Sequence, residues 1–211
     1  MITVIDYGSG NLRSVAKALE KSGGRVMISH RPEDIVQADR IVLPGVGAFG
    51  DCRANLEMAQ LLEPVLNHIN KGKPFLGICV GMQLLFSEGH EFGIHPGLGL
   101  FAGQVIGFDK TMPDPNNVPM ALKIPHMGWN QVRQTAPHPL WQGIPQEAWF
   151  YFVHSYHGIP NDRKMIAGES VYGIPFCAAI ARDNLFATQF HPEKSQSFGL
   201  KMMENFISWS P

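Results

Sequence analysis

One cysteine has the surroundings of an activated nucleophile. Cys79 is the centre of Gly77-Ile78-Cys79-Val80-Gly81, between an apolar run and a segment that predicts a helix. This is the cysteine form of the strand–turn–helix elbow G-x-S-x-G, in which glycines on either side of a sharp turn avoid steric clashes. The N-terminus of the following helix favours the thiolate. A buried structural cysteine beside two turn glycines is the alternative, but the motif and its position favour covalent catalysis.

Phe190-His191-Pro192-Glu193 could supply a base and the acid that orients it. Pro192 restrains His191 to an extended backbone, and residues two apart in an extended segment project to the same side. Glu193 could then fix the tautomer of His191 and stabilise its imidazolium form. Taken alone, so short a motif is equally compatible with a surface turn. Two other histidines, His154 and His157, have i, i+3 spacing but lie where a strand and a turn are expected, so no metal site is predicted.

The glycine-rich segment 45–50, Gly45-Val46-Gly47-Ala48-Phe49-Gly50, allows two interpretations. It matches G-x-G-x-x-G, the phosphate-binding motif of dinucleotide-binding folds. However, it follows the third predicted strand rather than the first, Pro44 precedes it, and no clear acidic strand end follows about 20 residues later. The second interpretation is an oxyanion loop whose backbone N–H groups face a reacting carbonyl. In that case Val46 supplies one donor and Val80, directly after the nucleophile, supplies the other.

The elements that must position these residues alternate between strand and helix in the first half of the chain. Strands are predicted at 2–6, 26–29, 40–43 and 74–78. Helical stripes occur at Leu12, Val15, Ala16 and Leu19, after Asn11 as a possible cap, and again at 61–69, and a helix is predicted at 80–86. Such an order predicts an α/β fold with a mostly parallel central sheet flanked by helices. In a sheet of this kind chemistry occurs at the carboxyl ends of the strands, where Cys79 lies.

The second half of the chain has a different pattern. Strand-like runs follow one another at 100–108, 130–133, 148–154, 164–168, 176–181 and 185–189, and a last helix is predicted at 196–208. These runs indicate antiparallel strand additions to the sheet edge or a small second sheet. Residues 110–119 contain three prolines and two asparagines, and predict an exposed loop. Because no repeat or low-complexity linker interrupts the chain, 1–211 is predicted to be a single domain.

Composition excludes several classes of function. Of 211 residues, 45% are apolar and 17% are charged, which is typical of a globular protein. The formal net charge is −1 and there is no basic run, so a nucleic-acid or membrane partner is not expected. The N-terminus resembles a first strand rather than a signal peptide, and no apolar run is long enough to span a bilayer. Three cysteines without metal-site spacing favour a reducing cytoplasm.

Three segments together resemble the class I, or triad, glutamine amidotransferases. They are PGVGAFGD at 44–51, FLGICVGMQLLF at 75–86 and TQFHPEKS at 188–195. Three more, IDYGSGNLRSV at 5–15, IPHMGWNQV at 124–132 and FYFVHSY at 150–156, resemble the subfamily of glutaminase subunits of imidazole glycerol phosphate synthase. The resemblance extends over almost the whole chain and implies the class I amidotransferase fold.

The resemblance implies hydrolysis of glutamine to glutamate and ammonia, without a cofactor. Cys79 would attack the side-chain amide to form a thioester, His191 would protonate the departing ammonia and later activate water, and Glu193 would orient His191. Positions that match glutamine-binding residues of the family are Gly47, Gln83, Glu91, His154, Ser155 and Tyr156. Ordinary packing or a polar helix surface is the alternative for Gln83 and Tyr156.

The subfamily also implies a partner, a (β/α)₈-barrel cyclase subunit that forms a heterodimer with the glutaminase and consumes its ammonia. The products would be imidazole glycerol phosphate and aminoimidazole carboxamide ribotide, in histidine biosynthesis. Candidate docking residues are Asn11, Met127, Trp129, Asn130 and Lys194, since tryptophan and methionine are common in interface cores. Two other functions stay open: another cysteine hydrolase on the same fold, such as a peptidase or γ-glutamyl hydrolase, and a non-catalytic partner-binding module.

Overall fold

The computed structural model describes residues 1–114 and 120–211. In the first half, the strands are β1 (Ile2–Ile5), β2 (Val26–Ser29), β3 (Arg40–Gly45) and β4 (Phe75–Cys79), and the helices are α1 (Leu12–Lys21), α2 (Pro32–Gln37), α3 (Phe49–Met58), α4 (Leu62–Asn70) and α5 (Val80–Gln83). Later come β5 (Phe86–Gly89), β6 (His95–Pro96), β7 (Phe101–Gly107), β8 (His126–Gln134), β9 (Ala148–His154), β10 (Tyr156–Pro160), β11 (Ile166–Tyr172), β12 (Ile174–Arg182), β13 (Leu185–Thr188) and α6 (Gln196–Ser208).

The described strands form a large mixed sheet in the order β2-β1-β3-β4-β13-β12-β11-β8-β9. The first five strands of this order are parallel to one another. The pairs from β13 outward, through β12, β11 and β8 to β9, are antiparallel. This confirms the predicted α/β fold with a mostly parallel centre and antiparallel additions at one edge.

The parallel strands are buried because helices cover them. Every residue of β1, β4 and β13 is buried, which explains why these segments are continuous apolar runs in the sequence. Helix α1 buries Val15, Ala16 and Leu19, as its spacing predicts, and also Ala18, whereas the predicted Leu12 is only partly buried. A ring cluster around Phe150, Phe186 and Phe190 continues the core toward the antiparallel edge.

A second, smaller sheet has the order β10-β7-β5-β6. Strands β10 and β7 are antiparallel, β5 and β7 are parallel, and β5 and β6 are antiparallel. The sequence left open whether the later strands extend the main sheet or form a second one, and the structure contains both. Because β10 directly follows β9, the small sheet holds the segment after His154 against the main one.

Several element boundaries differ from the predictions. The helix predicted at 80–86 ends at Gln83, and Phe86 begins β5. Strand β3 continues through Pro44 to Gly45, because the Pro44 carbonyl accepts a hydrogen bond from Tyr7 Oη at 2.8 Å and the residue pairs with Ile78. Asn11 occupies the N-cap of α1, but its side chain makes no capping hydrogen bond.

Other boundaries shift by a few residues. The strand predicted at 130–133 extends over all of β8, and the one predicted at 164–168 begins at Ile166 after a 3₁₀ turn at Arg163–Met165. Of the loop predicted at 110–119, residues 115–119 lie outside the described part of the chain. Within the described part, no helix is long and apolar enough to cross a membrane.

Candidate active site

Three neighbouring parallel strands bring the candidate groups together. Strand β4 lies between β3 and β13, with Gly45 paired to Cys79 and Thr188 paired to Ile78. The glycine-rich loop follows β3, the nucleophile ends β4, and His191 comes three residues after β13. Because the carboxyl ends of parallel strands lie at one edge of the sheet, residues far apart in the sequence meet there.

The elbow has the strained geometry that its glycines predict. Cys79 has φ +55° and ψ −111°, a conformation that side chains rarely adopt, and it is 5% exposed. A Cβ on Gly81 would lie 1.9 Å from the Leu43 carbonyl oxygen, and one on Gly77 would lie 2.8 Å from the Gly81 carbonyl oxygen. Both glycines are therefore required for the backbone to turn so sharply next to β3. Strain at one polar side chain facing a cavity is typical of a functional site.

His191 and Glu193 form the predicted buried pair. Nδ1 of His191 lies 2.7 Å from Oε1 of Glu193, and the two side chains are 3% and 1% exposed. The sequence predicted an extended segment, but Glu193 lies in a 3₁₀ turn, Pro192–Lys194, which folds the carboxylate back toward the ring. Helix α6 packs closely on this turn: a Cβ on Gly199 would lie 1.9 Å from the Pro192 carbonyl oxygen.

The charges around His191 favour its protonated form. Burial alone lowers the pKa of His191, but interactions with Cys79 and with Glu193 outweigh burial and raise this pKa above its ordinary value. Nε2 of His191 has no hydrogen-bond partner in the described part of the chain, although Cys79 is close enough to influence the ring. A buried imidazole with one nitrogen held by a carboxylate and the other unpaired beside a thiol can exchange a proton with that sulfur.

The glycine-rich loop lies beside the nucleophile, and its first donor is already bonded. Val46 and Gly47 line a cavity with Cys79, which favours the oxyanion interpretation over dinucleotide binding. However, the N–H of Val46 donates to Ser9 Oγ at 3.1 Å, and the Ser9 hydroxyl donates to the Val46 carbonyl at 2.5 Å. In this conformation Val46 is not a free donor. Val80 begins α5, where the first N–H groups of a helix have no intrahelical partner.

All residues expected to hold substrate border one cavity of about 260 Å³. Besides Cys79 and His191, its walls include the predicted positions Val46, Gly47, Val80, Gln83, Glu91, His154, Ser155 and Tyr156. Pro125 and Val153 complete the lining and were not predicted. Neither residue gives a sign of a cavity in the sequence, since both are apolar residues of ordinary type.

Glu91 is fixed at the rim of this cavity. Its Oε2 accepts a hydrogen bond at 2.7 Å from the N–H of Phe49, the first residue of α3. Its charge also raises the pKa of Tyr156, after burial, which is the larger cause. The Glu91 carboxylate and the Tyr156 hydroxyl therefore lie close together on the wall of the cavity.

Gln189 is a site residue that the sequence analysis missed. Its Nε2 lies 3.8 Å from Cys79 Sγ, and its Oε1 accepts a hydrogen bond at 3.1 Å from Gln83 Nε2. Gln189 is fully buried, and it precedes His191 by two positions. The motif TQFHPEKS contained it, but a buried amide beside a sulfur has no signature in spacing alone.

One face of the β8–β9 pair carries exposed aromatic and apolar side chains next to the cavity that Val153 lines. Met127 is 66% exposed and Trp129 is 42% exposed, and both are on the same face of β8. Their partners across the strand pair are Val153 and Tyr151. The face continues to Trp149, which is 51% exposed and was not predicted. Lys194 borders this surface, with its Nζ 5.7 Å from the Tyr151 ring centroid. We call Met127, Trp129, Trp149, Tyr151, Val153 and Lys194 together the aromatic face.

The two predicted asparagines differ in their freedom to bind a partner. Asn11 is exposed, and its side chain is not used by the helix that it precedes. Asn130 lies on the opposite face of β8 from Trp129 and is half-buried. Its Nδ2 donates to the Val171 carbonyl at 2.8 Å and its Oδ1 accepts from the N–H of Gln131 at 2.8 Å. A direct docking role for Asn130 stays a prediction, but its polar atoms serve the chain itself.

Comparison with known proteins places the chain among relatives of similar length. A family model for glutamine amidotransferase class-I matches residues 3–209. Over 206 residues, 98% of each protein, the chain is 50% identical to a protein of Syntrophotalea carbinolica named imidazole glycerol phosphate synthase subunit HisH. It is also 50% identical over 215 residues to the protein of that name from Aromatoleum aromaticum, with 100% of the chain and 99% of the relative covered.

Solved structures share the fold at much lower identity. A structure of PurLQS from Thermotoga maritima matches with a TM-score of 0.73 at 18% identity, over 97% of this chain and 96% of that one. The glutaminase domain of Trypanosoma brucei CTPS with bound acivicin matches with a TM-score of 0.63 at 16% identity, over 97% and 92% of the two chains. At these sequence identities, the similarity shows a shared fold.

Proposed function

The chain belongs to the class-I glutamine amidotransferase family, and from that premise we propose that it is the glutaminase subunit of an imidazole glycerol phosphate synthase. The observation that carries this proposal is the meeting of Cys79, His191 and Glu193 at one cavity that the predicted glutamine-binding residues also border. The near-complete match to proteins named subunit HisH supports the choice of subfamily.

In the proposed reaction the Cys79 thiolate attacks the side-chain amide carbon of glutamine, forming a carbon–sulfur bond and a tetrahedral oxyanion. The oxyanion collapses, the carbon–nitrogen bond breaks, and protonated His191 gives its proton to the leaving nitrogen, which departs as ammonia. Neutral His191 then takes a proton from water as the water oxygen attacks the thioester. Glutamate leaves, and Cys79 returns as thiolate with His191 protonated. Glu193 stabilises each protonated state of the ring.

The walls of the cavity fit glutamine on chemical grounds. The Glu91 carboxylate is suited to the substrate α-ammonium group, and the polar side chains of Ser155 and Tyr156 are suited to its other polar ends. Val80 N–H would bind the oxyanion at the helix N-terminus. Val46 would become the second donor only after its peptide leaves Ser9, so the described conformation corresponds to a weakly active free chain.

The ammonia would pass to a cyclase subunit with a (β/α)₈ barrel, docked on the aromatic face to form a heterodimer. The cyclase would use it to make imidazole glycerol phosphate and aminoimidazole carboxamide ribotide. Large aromatic groups beside an opening to the site are suited to an interface core. Three free buried cysteines are consistent with a reducing cytoplasm, where this pathway would operate.

Co-purification with the cognate barrel cyclase tests both halves of this proposal. We expect a stable complex that forms product with glutamine as nitrogen source, and a Trp129→Ala variant that binds the cyclase at least tenfold more weakly. Met58→Ala is the matched control, because Met58 is 74% exposed but lies at the far end of α3 from the cavity loop. Equal loss of affinity in both variants, or no complex with the wild-type chain, would contradict the assignment.

A further inference from the structure

The Tyr156 carbonyl is the meeting point of two buried side chains. It accepts hydrogen bonds from His154 Nδ1 at 2.8 Å and from Gln83 Nε2 at 3.1 Å. A carbonyl oxygen can only accept, so both nitrogens must carry the proton. His154 is therefore the Nδ1–H tautomer, and its Nε2 is an acceptor when the ring is neutral.

This assignment fixes the proton on a second histidine. Nε2 of His154 lies 2.9 Å from Nδ1 of His126. Since His154 Nε2 accepts, His126 Nδ1 must donate, which leaves His126 Nε2 as an acceptor. The amide Nδ2 of Asn130 lies 3.3 Å from that nitrogen.

The far end of the chain of hydrogen bonds gives the same answer independently. Asn130 Nδ2 also donates to the Val171 carbonyl, and Asn130 Oδ1 accepts from the Gln131 N–H, so the orientation of this amide is determined by backbone groups. Its Nδ2 can only donate to His126. Starting from Val171 or from Tyr156, each of the two imidazoles is assigned the same proton position.

From Gln83 the hydrogen bonds continue to the nucleophile. Gln83 Nε2 donates to Tyr156 and to Gln189 Oε1, so Gln189 turns its Nε2 toward Cys79 Sγ. The segment that lines the cavity at 154–156 and the sulfur are thereby held by one connected polar network.

Both imidazoles are packed so that they stay neutral. The His126 ring stacks on Tyr172 with centroids 4.1 Å apart and on Phe152 with centroids 4.9 Å apart. Burial lowers the pKa of His126 to about 4 and that of His154 to about 3. Neutral rings keep one donor and one acceptor each, as the sequence of hydrogen bonds requires.

We propose that His126 is a positioning residue for glutamine hydrolysis: its Nδ1–H holds His154 so that His154 donates to the Tyr156 carbonyl and fixes the glutamine-binding segment. This role rests on the proposed glutaminase function. Through this hydrogen bond, the side of β8 opposite the aromatic face is connected to the substrate cavity.

Three substitutions of His126 distinguish a role as hydrogen-bond donor from a role in packing. His126→Phe keeps the stacked ring but removes the donor, and we expect the KM for glutamine to rise about tenfold, with a smaller change in kcat, because His154 loses its anchor. His126→Asn places an amide N–H near the former Nδ1 and restores KM to within about threefold of wild type, whereas His126→Gln reaches the Nε2 position and does not. If packing were the role, Phe would behave like wild type and Asn would be the worst; that order of KM values would overturn the proposal.

Nuclear magnetic resonance of ring nitrogens tests the same idea without turnover. We expect His126 and His154 of the wild-type protein both to be neutral Nδ1–H tautomers, with a His154 ring proton that exchanges slowly with water. That slow exchange should persist in His126→Asn and be lost in His126→Phe. An Nε2–H tautomer at His126 would overturn the proposal whether or not the chain hydrolyses glutamine, whereas absence of glutaminase activity in the wild-type complex would contradict only the proposed function.

Discussion

The groups proposed to react are held by their neighbours in a state ready for proton transfer. Glu193 grips one nitrogen of His191, and the other nitrogen and Glu193 Oε2 have no hydrogen-bond partner among the described residues. Buried polar atoms without partners are uncommon in folded proteins, and these two lie in the pair proposed to move protons. The protonation of His191 depends on its neighbours, since Cys79 and Glu193 together raise its pKa.

Glu193→Gln tests that charge. The substitution keeps the shape of the side chain but removes the anion that stabilises the imidazolium, so we expect the kcat of glutamine hydrolysis to fall about 10²- to 10⁴-fold. Steady-state assays of the complex would measure it. Glu88→Gln is the matched control, because Glu88 makes a similar 2.8 Å contact with His90 at a half-exposed position outside the cavity. Equal kcat values for wild type and Glu193→Gln would contradict the role.

The sequence predicted those site residues whose side-chain type alone suggests a chemical role. Cys79, His191 and Glu193 could be chosen because only a few residue types act as nucleophile, base or acid. Gln189 could not, because its role comes from contact across paired strands. Asn130 was named as a docking candidate from the subfamily resemblance, and the alternation along β8 places it on the opposite face from Trp129.

The elbow is the element on which the site depends. The carboxyl ends of β3 and β4 pair so closely at Gly45 and Cys79 that the backbone of the following turn passes next to Leu43. That proximity forces glycine at two positions, and it also places the N-terminus of α5 directly after Cys79. A side chain at Gly81 has no flexible neighbour to displace, because the obstacle is a backbone oxygen.

Gly81→Ala should therefore disrupt the elbow. We expect the free energy of unfolding to fall by about 3 kcal/mol or more, which is among the larger effects of single substitutions. Denaturant titration would measure the loss. Gly107→Ala serves as control, since its Cβ would come no closer than 3.4 Å to any neighbour and should cost much less. Equal unfolding free energies for Gly81→Ala and wild type would show that the turn is not constrained as described.

Elements with strong periodicity were predictable, and short ones were not. The buried strands were predicted from continuous apolar runs and α1 from its helical stripe. Burial of a strand on both faces, or of a helix on one face, produces these apolar patterns in the sequence. Helix α5 was predicted too long, since the apolar residues after Gln83 continue the same composition into β5. Composition does not distinguish a buried helix from a buried strand over so few residues.

For the molecule as a whole, the buried histidines make stability depend on pH. Burial lowers the pKa of five histidines: His68, His126, His138, His154 and His157. Below the ordinary histidine pKa of about 6.5, the unfolded chain binds protons that the folded chain cannot, so stability falls as pH falls. His191 has the opposite sign: its contribution is fully present below pH of about 6.5 and is lost as pH rises through its raised pKa.

Denaturant midpoints at pH 7 and pH 5 test this balance. Each buried neutral histidine lowers the unfolding free energy by up to about 1.4 kcal/mol per pH unit in this window, so we expect a much lower midpoint at pH 5. A His68→Gln variant, which removes one titrating group far from the cavity, should lose less stability over the same interval than wild type. An unchanged midpoint for wild type between the two pH values would contradict the assignment of neutral buried rings.

We propose that ammonia is released from glutamine at Cys79 and used by a partner. The most direct measurement compares glutamine-dependent and ammonia-dependent product formation by the complex of the cyclase with a Cys79→Ala chain. We predict that the variant loses the glutamine-dependent reaction, by about 10⁴-fold or more, because no thioester can form. The ammonia-dependent reaction should keep its wild-type rate. A Cys79→Ala complex that still forms product from glutamine at the wild-type rate would contradict the account.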